Sequence, residues 1–242
     1  RHIEFQLLGD RAGNVMHLFE RDCSIQRRHQ KVIEEGPAPG LSRERIGAMS
    51  ARVATIAGEL GYDNIGTVET LHSAATGFGF LEMNTRLQVE HAVTEAITGI
   101  DLVQAQVRLA AGEPLASIVA AAPVISGHAI EVRVYAEDPK RFFPSPGKLT
   151  TFRPPGGADV RVDTGYAEGC TVTPHYDPLV AKVIVHAPTR ERAIARMREA
   201  LAAFAVAGIK TNIPFAQAML ASAPFQAGAV HTGLAAGVAA AL

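Results

Sequence analysis

Apolar and polar positions alternate over residues 1–8: Ile3, Phe5 and Leu7 fall on one side, His2, Glu4 and Gln6 on the other. This is the period of a half-buried strand. Gly9-Asp10-Arg11-Ala12-Gly13-Asn14 is turn chemistry and residues 15–19 resume the strand pattern, so the chain is expected to open on a hairpin. The period is lost over 20–31. Ile46, Met49, Val53, Ile56 and Leu60 then recur at helical spacing between Ser42, an N-cap residue, and Gly61, suited to the left-handed position past a helix end. They predict a helix over 42–60 with all five side chains in the core.

Residues 65–71 and 78–82 read as strands joined by a turn over 72–77, a second hairpin. A loop centred near Ala75 puts Glu69 nearly opposite Glu82. Helical segments are expected over 94–99 and 101–111, the latter with Leu102, Val103, Gln106 and Leu109 on one face. Residues 115–126 are small, alanine-rich and low in charge, and mark a domain boundary. Beyond it lie strand patterns over 128–135, 148–152, 160–163 and 180–186, with Glu131 and Arg133 on the face opposite Val132 and Val134. A helix over 189–204, capped by Thr189, turns Ala193, Ile194, Met197, Leu201 and Phe204 inward, and a short helix covers 213–220.

Composition narrows the function classes. A chain of 242 residues with 48% hydrophobic and 19% charged residues is globular and holds one large or two smaller domains. A net charge of −1 gives no field to gather nucleic acid or an anionic membrane, and no apolar run reaches membrane-spanning length. Two cysteines, Cys23 and Cys170, lack metal-ligand spacing, and both are expected as small buried side chains in a reducing compartment. No signal peptide is expected. The first residues already lie inside a strand pattern without an initiator methionine, so the chain is expected to be cut from something longer.

The chemistry concentrates in residues 78–91, where Glu82, Asn84, Arg86, Gln88 and Glu90 occupy every second position. If that stretch stays extended, all five project from one face. Such a face is costly to bury without partners, and it reads as an active-site floor. Glu69 and Glu82 across a ladder repel unless a cation lies between them. Carboxylate and amide oxygens suit Mg²⁺ or Mn²⁺ rather than Zn²⁺, with substrate phosphates and water completing the shell. The plain alternative is a pair of solvent-facing glutamates. Arg27, Arg28, His29 and Lys31 offer donors to a polyanion, or form a solvated basic loop partly neutralised by Glu34 and Glu35.

Four motifs in order, Arg-His-Ile-Glu-Phe-Gln over 1–6, Glu-Arg-Asp-Cys-Ser-Ile-Gln-Arg-Arg-His-Gln-Lys over 20–31, Phe-Leu-Glu-Met-Asn-Thr-Arg-Leu-Gln-Val-Glu-His over 80–91, and Glu-Asp-Pro with Pro-Ser-Pro-Gly-Lys within 137–148, resemble biotin carboxylase. That ATP-grasp ligase occurs alone or as the first module of acetyl-, propionyl- and methylcrotonyl-CoA carboxylases and of pyruvate carboxylase. The resemblance runs from residue 1 to about residue 235; the piece over 80–87 alone is less specific, because carbamoyl phosphate synthetase has a close relative of it.

The resemblance implies an α+β fold: the C-terminal half of an ATP-grasp domain over 1–117, a linker over 118–126 and the biotin carboxylase C-terminal domain over 127–242. It implies that ATP and bicarbonate give carboxyphosphate, whose carbon dioxide passes to biotin. Glu69, Glu82 and Asn84 would hold Mg²⁺ or Mn²⁺. His2, Gln26 and His29 would contact the nucleotide, with Leu71 and Leu81 against the adenine. Lys31, Arg86, Gln88 and the backbone of Val89 would hold bicarbonate, Glu90 would be its base, and Arg133 would stabilise the biotin enolate. Glu137, Asp138 and Arg161 would otherwise pass as surface charge; in the family the last lies near the subunit interface.

Biotin carboxyl carrier protein, a carboxyltransferase module and a second copy in the full-length parent are the partners so implied, in the cytoplasm or the mitochondrial matrix. The family's N-terminal domain, its glycine-rich lid, a pair of ATP-binding lysines and the adenine-binding linker strand are expected to precede residue 1, so this polypeptide alone is expected not to turn over ATP. Two rivals are another ATP-grasp ligase, such as carbamoyl phosphate synthetase or a purine-pathway carboxylase, and a non-catalytic dimerisation or scaffold module.

Overall fold

The computed structural model describes residues 1–242. The fold is α+β, and the chain forms two compact units: Arg1–Cys23 with Glu35–His128, and Ser24–Glu34 with Ala129–Leu242. In chain order the first elements are β1 (His2–Gly9), β2 (Val15–Arg27), β3 (Gln30–Gly36), α1 (Arg43–Glu59), β4 (Asn64–Ser73), β5 (Gly77–Asn84), α2 (His91–Thr98), α3 (Leu102–Ala110) and α4 (Leu115–Ile118). Strands of the first unit lie in the order β5-β4-β1-β2, each neighbouring pair antiparallel.

The alternation over β1 sorts its side chains onto two faces, and both faces are buried. Ile3, Phe5 and Leu7 pack with Ile46, Val53 and Ala57 of α1 in one apolar core. His2, Glu4 and Gln6, on the other face, are buried as well. A separate apolar core gathers Leu8, Leu18 and Ile65 with Leu102, Ala105 and Leu109 of α3. The loop alternative for 20–31 is replaced by the continuation of β2 and the start of β3. Between them Arg28 and His29 hold φ of 49° and 66°, the left-handed region that two-residue hairpin turns use.

Helix α1 forms where its caps predict: the Ser42 hydroxyl accepts from the Arg45 amide, and Gly61 follows at φ 66°. Its buried stripe is Ile46, Ser50, Val53 and Ala57. Ile56 and Leu60 are 45% and 78% exposed, so they are not core residues. In α3 the inward residues are Leu102, Ala105 and Leu109, and Val103 faces outward. Helix α2 starts at His91, ahead of the expected residue 94.

The second unit adds β6 (His128–Tyr135), β7 (Gly147–Lys148), β8 (Thr151–Arg153), β9 (Val160–Asp163), β10 (Thr171–Val172), β11 (Leu179–Ala187), α5 (Arg190–Ala203), β12 (Ala205–Ala207), α6 (Ile213–Ala221), α7 (Ala223–Gln226) and α8 (Leu234–Ala240). Its strands run β3-β6-β11-β9, with two small two-stranded ladders, β10-β7 and β12-β8. The strand expected over 148–152 is thus split between two different partners. Every residue of β6 is buried, so its alternation does not separate a wet face from a dry one. One core joins Ile130, Val132 and Val134 of β6 to Val183 and Val185 of β11 and to Ile194, Met197 and Leu201 of α5. Cys23 is buried and Cys170 exposed, so only the first matches its expected place. No helix is long and apolar enough to cross a membrane.

Candidate active site

Strand register aligns Arg21, Glu4, Glu69 and Glu82 in one row across β2, β1, β4 and β5, because Glu4 pairs with Arg21 on one side and Glu69 on the other, and Glu69 pairs with Glu82. Three carboxylates therefore face a single guanidinium along that row. The β4–β5 register shifts between Glu69 and Thr70, which pairs with Phe80. Leu81 is the extra residue. The bulge absorbs it and leaves the two glutamates opposite one another.

Extension ends at Asn84, so the alternate-position argument fails beyond it: Arg86 and Gln88 lie on an irregular segment, and Glu90 caps α2. Hydrogen bonds nevertheless bring most of these side chains together. The Asn84 amide nitrogen donates to Glu69 Oε1 at 3.0 Å and to Glu82 Oε1 at 3.1 Å. Arg86 Nη2 donates to Asn84 Oδ1 at 2.9 Å, and Gln88 Nε2 donates to Glu69 Oε1 at 2.6 Å. His2 Nε2 lies 2.7 Å from Glu69 Oε2. Glu90 is buried, and one of its oxygens lies within 4.8 Å of a Glu4 carboxylate oxygen and of the Cys23 sulfur.

These donors fit a hard divalent cation. Oxygens of Glu69 and Glu82 converge on one amide nitrogen, and a cation between carboxylates relieves the same repulsion more strongly than a dipole does. His2, Glu4 and Glu69 also place three ligand atoms within 4.8 Å of one another. Leu71 and Leu81, at 49% and 47% exposure, lie on the exposed part of this hairpin.

Sequence reasoning missed Arg21, which is fully buried. Its Nε donates to Glu4 Oε1 at 2.6 Å, its Nη1 to Gln6 Oε1 at 2.8 Å and Thr94 Oγ1 at 2.6 Å, and its Nη2 to Gln88 Oε1 at 2.9 Å. Burial alone would lower the pKa of Arg21, yet it is held above its ordinary value by Glu4 and then Glu90. Loop length alone would not have found it: a hairpin about Asp10–Asn14 sets Glu20 opposite Glu4, and a register shift between Phe5 and Leu7 brings Arg21 there instead.

Lys31, Gln26, His29 and Arg133 belong to the second unit. Arg133 is buried with Nε 2.5 Å from Glu34 Oε1, while Glu131 Oε2 lies 3.8 Å from Lys182 Nζ. The Tyr135 hydroxyl donates to the Lys31 carbonyl at 3.1 Å. Arg27 is not a free basic-loop donor: it pairs with Glu137 and sits 5.6 and 5.5 Å from the ring centres of Tyr135 and Phe142. Glu137 is fully buried rather than surface charge, and burial pushes its carboxyl up despite Arg27.

Comparison with known proteins gives these residues a context. Residues 131–236 match the model of the biotin carboxylase C-terminal domain, and residues 1–118 that of the carbamoyl-phosphate synthase L chain ATP binding domain. The chain is 52% identical over 235 residues to a biotin carboxylase of Halalkalibacterium halodurans, covering 96% of this chain and 51% of that protein. It is 52% identical over 235 residues to biotin carboxylase 2 of Bacillus subtilis, covering 96% of this chain and 52% of that protein. Among solved structures, the biotin carboxylase domain dimer of Hydrogenobacter thermophilus 2-oxoglutarate carboxylase, in complex with MgADP, ADP and bicarbonate, superposes with a TM-score of 0.92 at 45% identity, covering 96% of this chain and 51% of that one. The chain thus spans about half the length of the curated relatives it matches. It joins a match to the carbamoyl-phosphate synthase L chain ATP binding domain to a match to the biotin carboxylase C-terminal domain, and it is about half identical to biotin carboxylases over 235 residues.

Proposed function

We propose that this chain carries part of the active site of an ATP-dependent biotin carboxylase, which activates bicarbonate as carboxyphosphate and transfers its carbon dioxide to N1 of carrier-bound biotin. The observation that carries the reading is the row of Glu4, Glu69 and Glu82 with Asn84, Arg86 and Gln88 hydrogen-bonded along it. A surface with no ligand gains nothing from packing so many acids beside one another.

Glu69, Glu82 and Asn84 are the residues to hold Mg²⁺ or Mn²⁺, which when bound neutralises charge on the nucleotide phosphates. His2, Gln26 and His29 bind the nucleotide, and Leu71 and Leu81 cover the adenine. Arg86 offers bicarbonate a planar fork of donors, joined by Gln88, the Val89 amide and Lys31. Glu90 takes the bicarbonate proton, and the freed oxygen attacks the γ-phosphorus as ADP leaves. Carboxyphosphate then separates into carbon dioxide and phosphate, the phosphate takes the N1 proton of biotin, and Arg133 stabilises the enolate until N1 attacks carbon dioxide. Roles for Lys31, Gln26, His29 and Arg133 rest on the resemblance of their motifs.

The MgADP and bicarbonate in the Hydrogenobacter structure support the ligand set, and relatives that are subunits or domains of larger carboxylases support a biotin carboxyl carrier protein, a carboxyltransferase module and a second copy as partners. The division into an ATP-grasp part over 1–117, a linker over 118–126 and a C-terminal domain over 127–242 belongs to the same proposal, as does a place in the cytoplasm or mitochondrial matrix. The test is ATP cleavage by the full gene product: dependence on bicarbonate with stimulation by free biotin is expected. Carbamate formation would instead favour a carbamoyl phosphate synthetase-type ligase, and absence of nucleotide and Mg²⁺ binding a scaffold.

A further inference from the structure

We infer that Arg21 is a positioning residue for the bicarbonate site, holding the Gln88 carboxamide in place; this rests on the functional reading above. The guanidinium is 0% exposed, and its donors reach Glu4 and Gln6 on β1, Thr94 on α2 and Gln88 on the segment between β5 and α2. Gln88 is thereby fixed at both ends. Its oxygen accepts from Arg21 at 2.9 Å, and its nitrogen donates to Glu69 at 2.6 Å. One buried side chain thus ties the segment that carries Arg86, Gln88 and Glu90 to the sheet that carries Glu69 and Glu82.

Electrostatics point the same way. Oxygens of Glu4 and Glu90 lie within 4.8 Å of each other, both residues buried. Arg21 supplies a cation beside them, and the attractions that hold its pKa up against burial come from Glu4 and then Glu90. A lysine would keep the charge and lose the fork that reaches several acceptors at once.

The test uses the full gene product with Arg21→Lys and Arg21→Gln, reading kcat and KM for bicarbonate and for ATP, with thermal unfolding as the check on folding. Arg21→Lys is expected to raise KM for bicarbonate about tenfold through loss of the charge-assisted contact to Gln88, with KM for ATP unchanged. Arg21→Gln is expected to raise KM for bicarbonate at least as much. If the Gln variant fails to fold, Arg21→Lys decides: an unchanged KM for bicarbonate overturns the inference. So does a fall in kcat without change in either KM, the mark of a purely structural role. Wild-type protein without bicarbonate-dependent ATP cleavage would overturn the functional reading itself, a result distinct from variants that behave like an active wild type.

Discussion

Glu69 and Glu82 stand directly opposite one another across the β4–β5 ladder, and the Asn84 amide reaches an oxygen of each at 3.0 and 3.1 Å. Like charges in this position destabilise a sheet by about 0.2–1 kcal/mol. Replacing the exposed partner, Glu82→Gln, is therefore expected to stabilise the protein by that amount in metal-free, low-salt buffer, measured by urea unfolding. The gain should shrink when Mg²⁺ is added. A loss of stability in metal-free buffer would count against the repulsion.

Asp10 ties the first hairpin turn to the start of α4. Its Oδ1 accepts from the amides of Ala12 and Asn14 at 3.0 Å, and its Oδ2 from the Leu115 amide at 2.9 Å. The Leu115 amide first, then the Asn14 side chain, hold its carboxyl below the ordinary range. A depressed acid stabilises the fold above its unfolded pKa, near 4, and that contribution is lost as pH falls through the folded value. Asp10→Asn should cost about 1–3 kcal/mol at neutral pH. The gap to wild type should narrow in urea unfolding near pH 3. An equal gap at both pH values would refute the charge argument.

Arg133 and Glu34 form a buried pair, Nε to Oε1 at 2.5 Å. Removing the cation alone leaves a buried carboxylate without it, so Arg133→Ala is expected to cost about 3–5 kcal/mol. The double change Arg133→Met with Glu34→Leu should recover most of that stability and still lack biotin-dependent turnover. Thermal unfolding paired with turnover separates the two roles. Recovered turnover in the double variant would remove Arg133 from the biotin chemistry.

How much of this was legible in the sequence depends on how far each signal reaches. The Glu69–Glu82 pairing followed from loop length, and the extra residue was taken up at Leu81 without moving either acid. Alternation over 1–8 gave β1 but not the burial of His2, Glu4 and Gln6, because a face buried by polar partners has the same period as one left in water. Residues 20–27 were unreadable as strand for the same reason: a run buried on both faces carries no alternation, and Arg21 went unnoticed with it. Ile56 and Leu60 obey helical spacing yet fall outside the stripe that Ser50 and Ala57 complete. The pairing of Arg133 with Glu34 joins residues 99 apart, a separation that periodicity does not reach.

The central claim is that Glu69 and Glu82 bind the cation that accompanies the nucleotide. Its most direct test is calorimetric titration of ADP into the full gene product, with and without Mg²⁺, for wild type, Glu69→Gln and Glu82→Gln. Mg²⁺ should tighten ADP binding to wild type, and each variant should lose at least about tenfold, or about 1.4 kcal/mol, of that enhancement while binding of metal-free ADP changes little. A Mg²⁺ enhancement equal in all three proteins would contradict it.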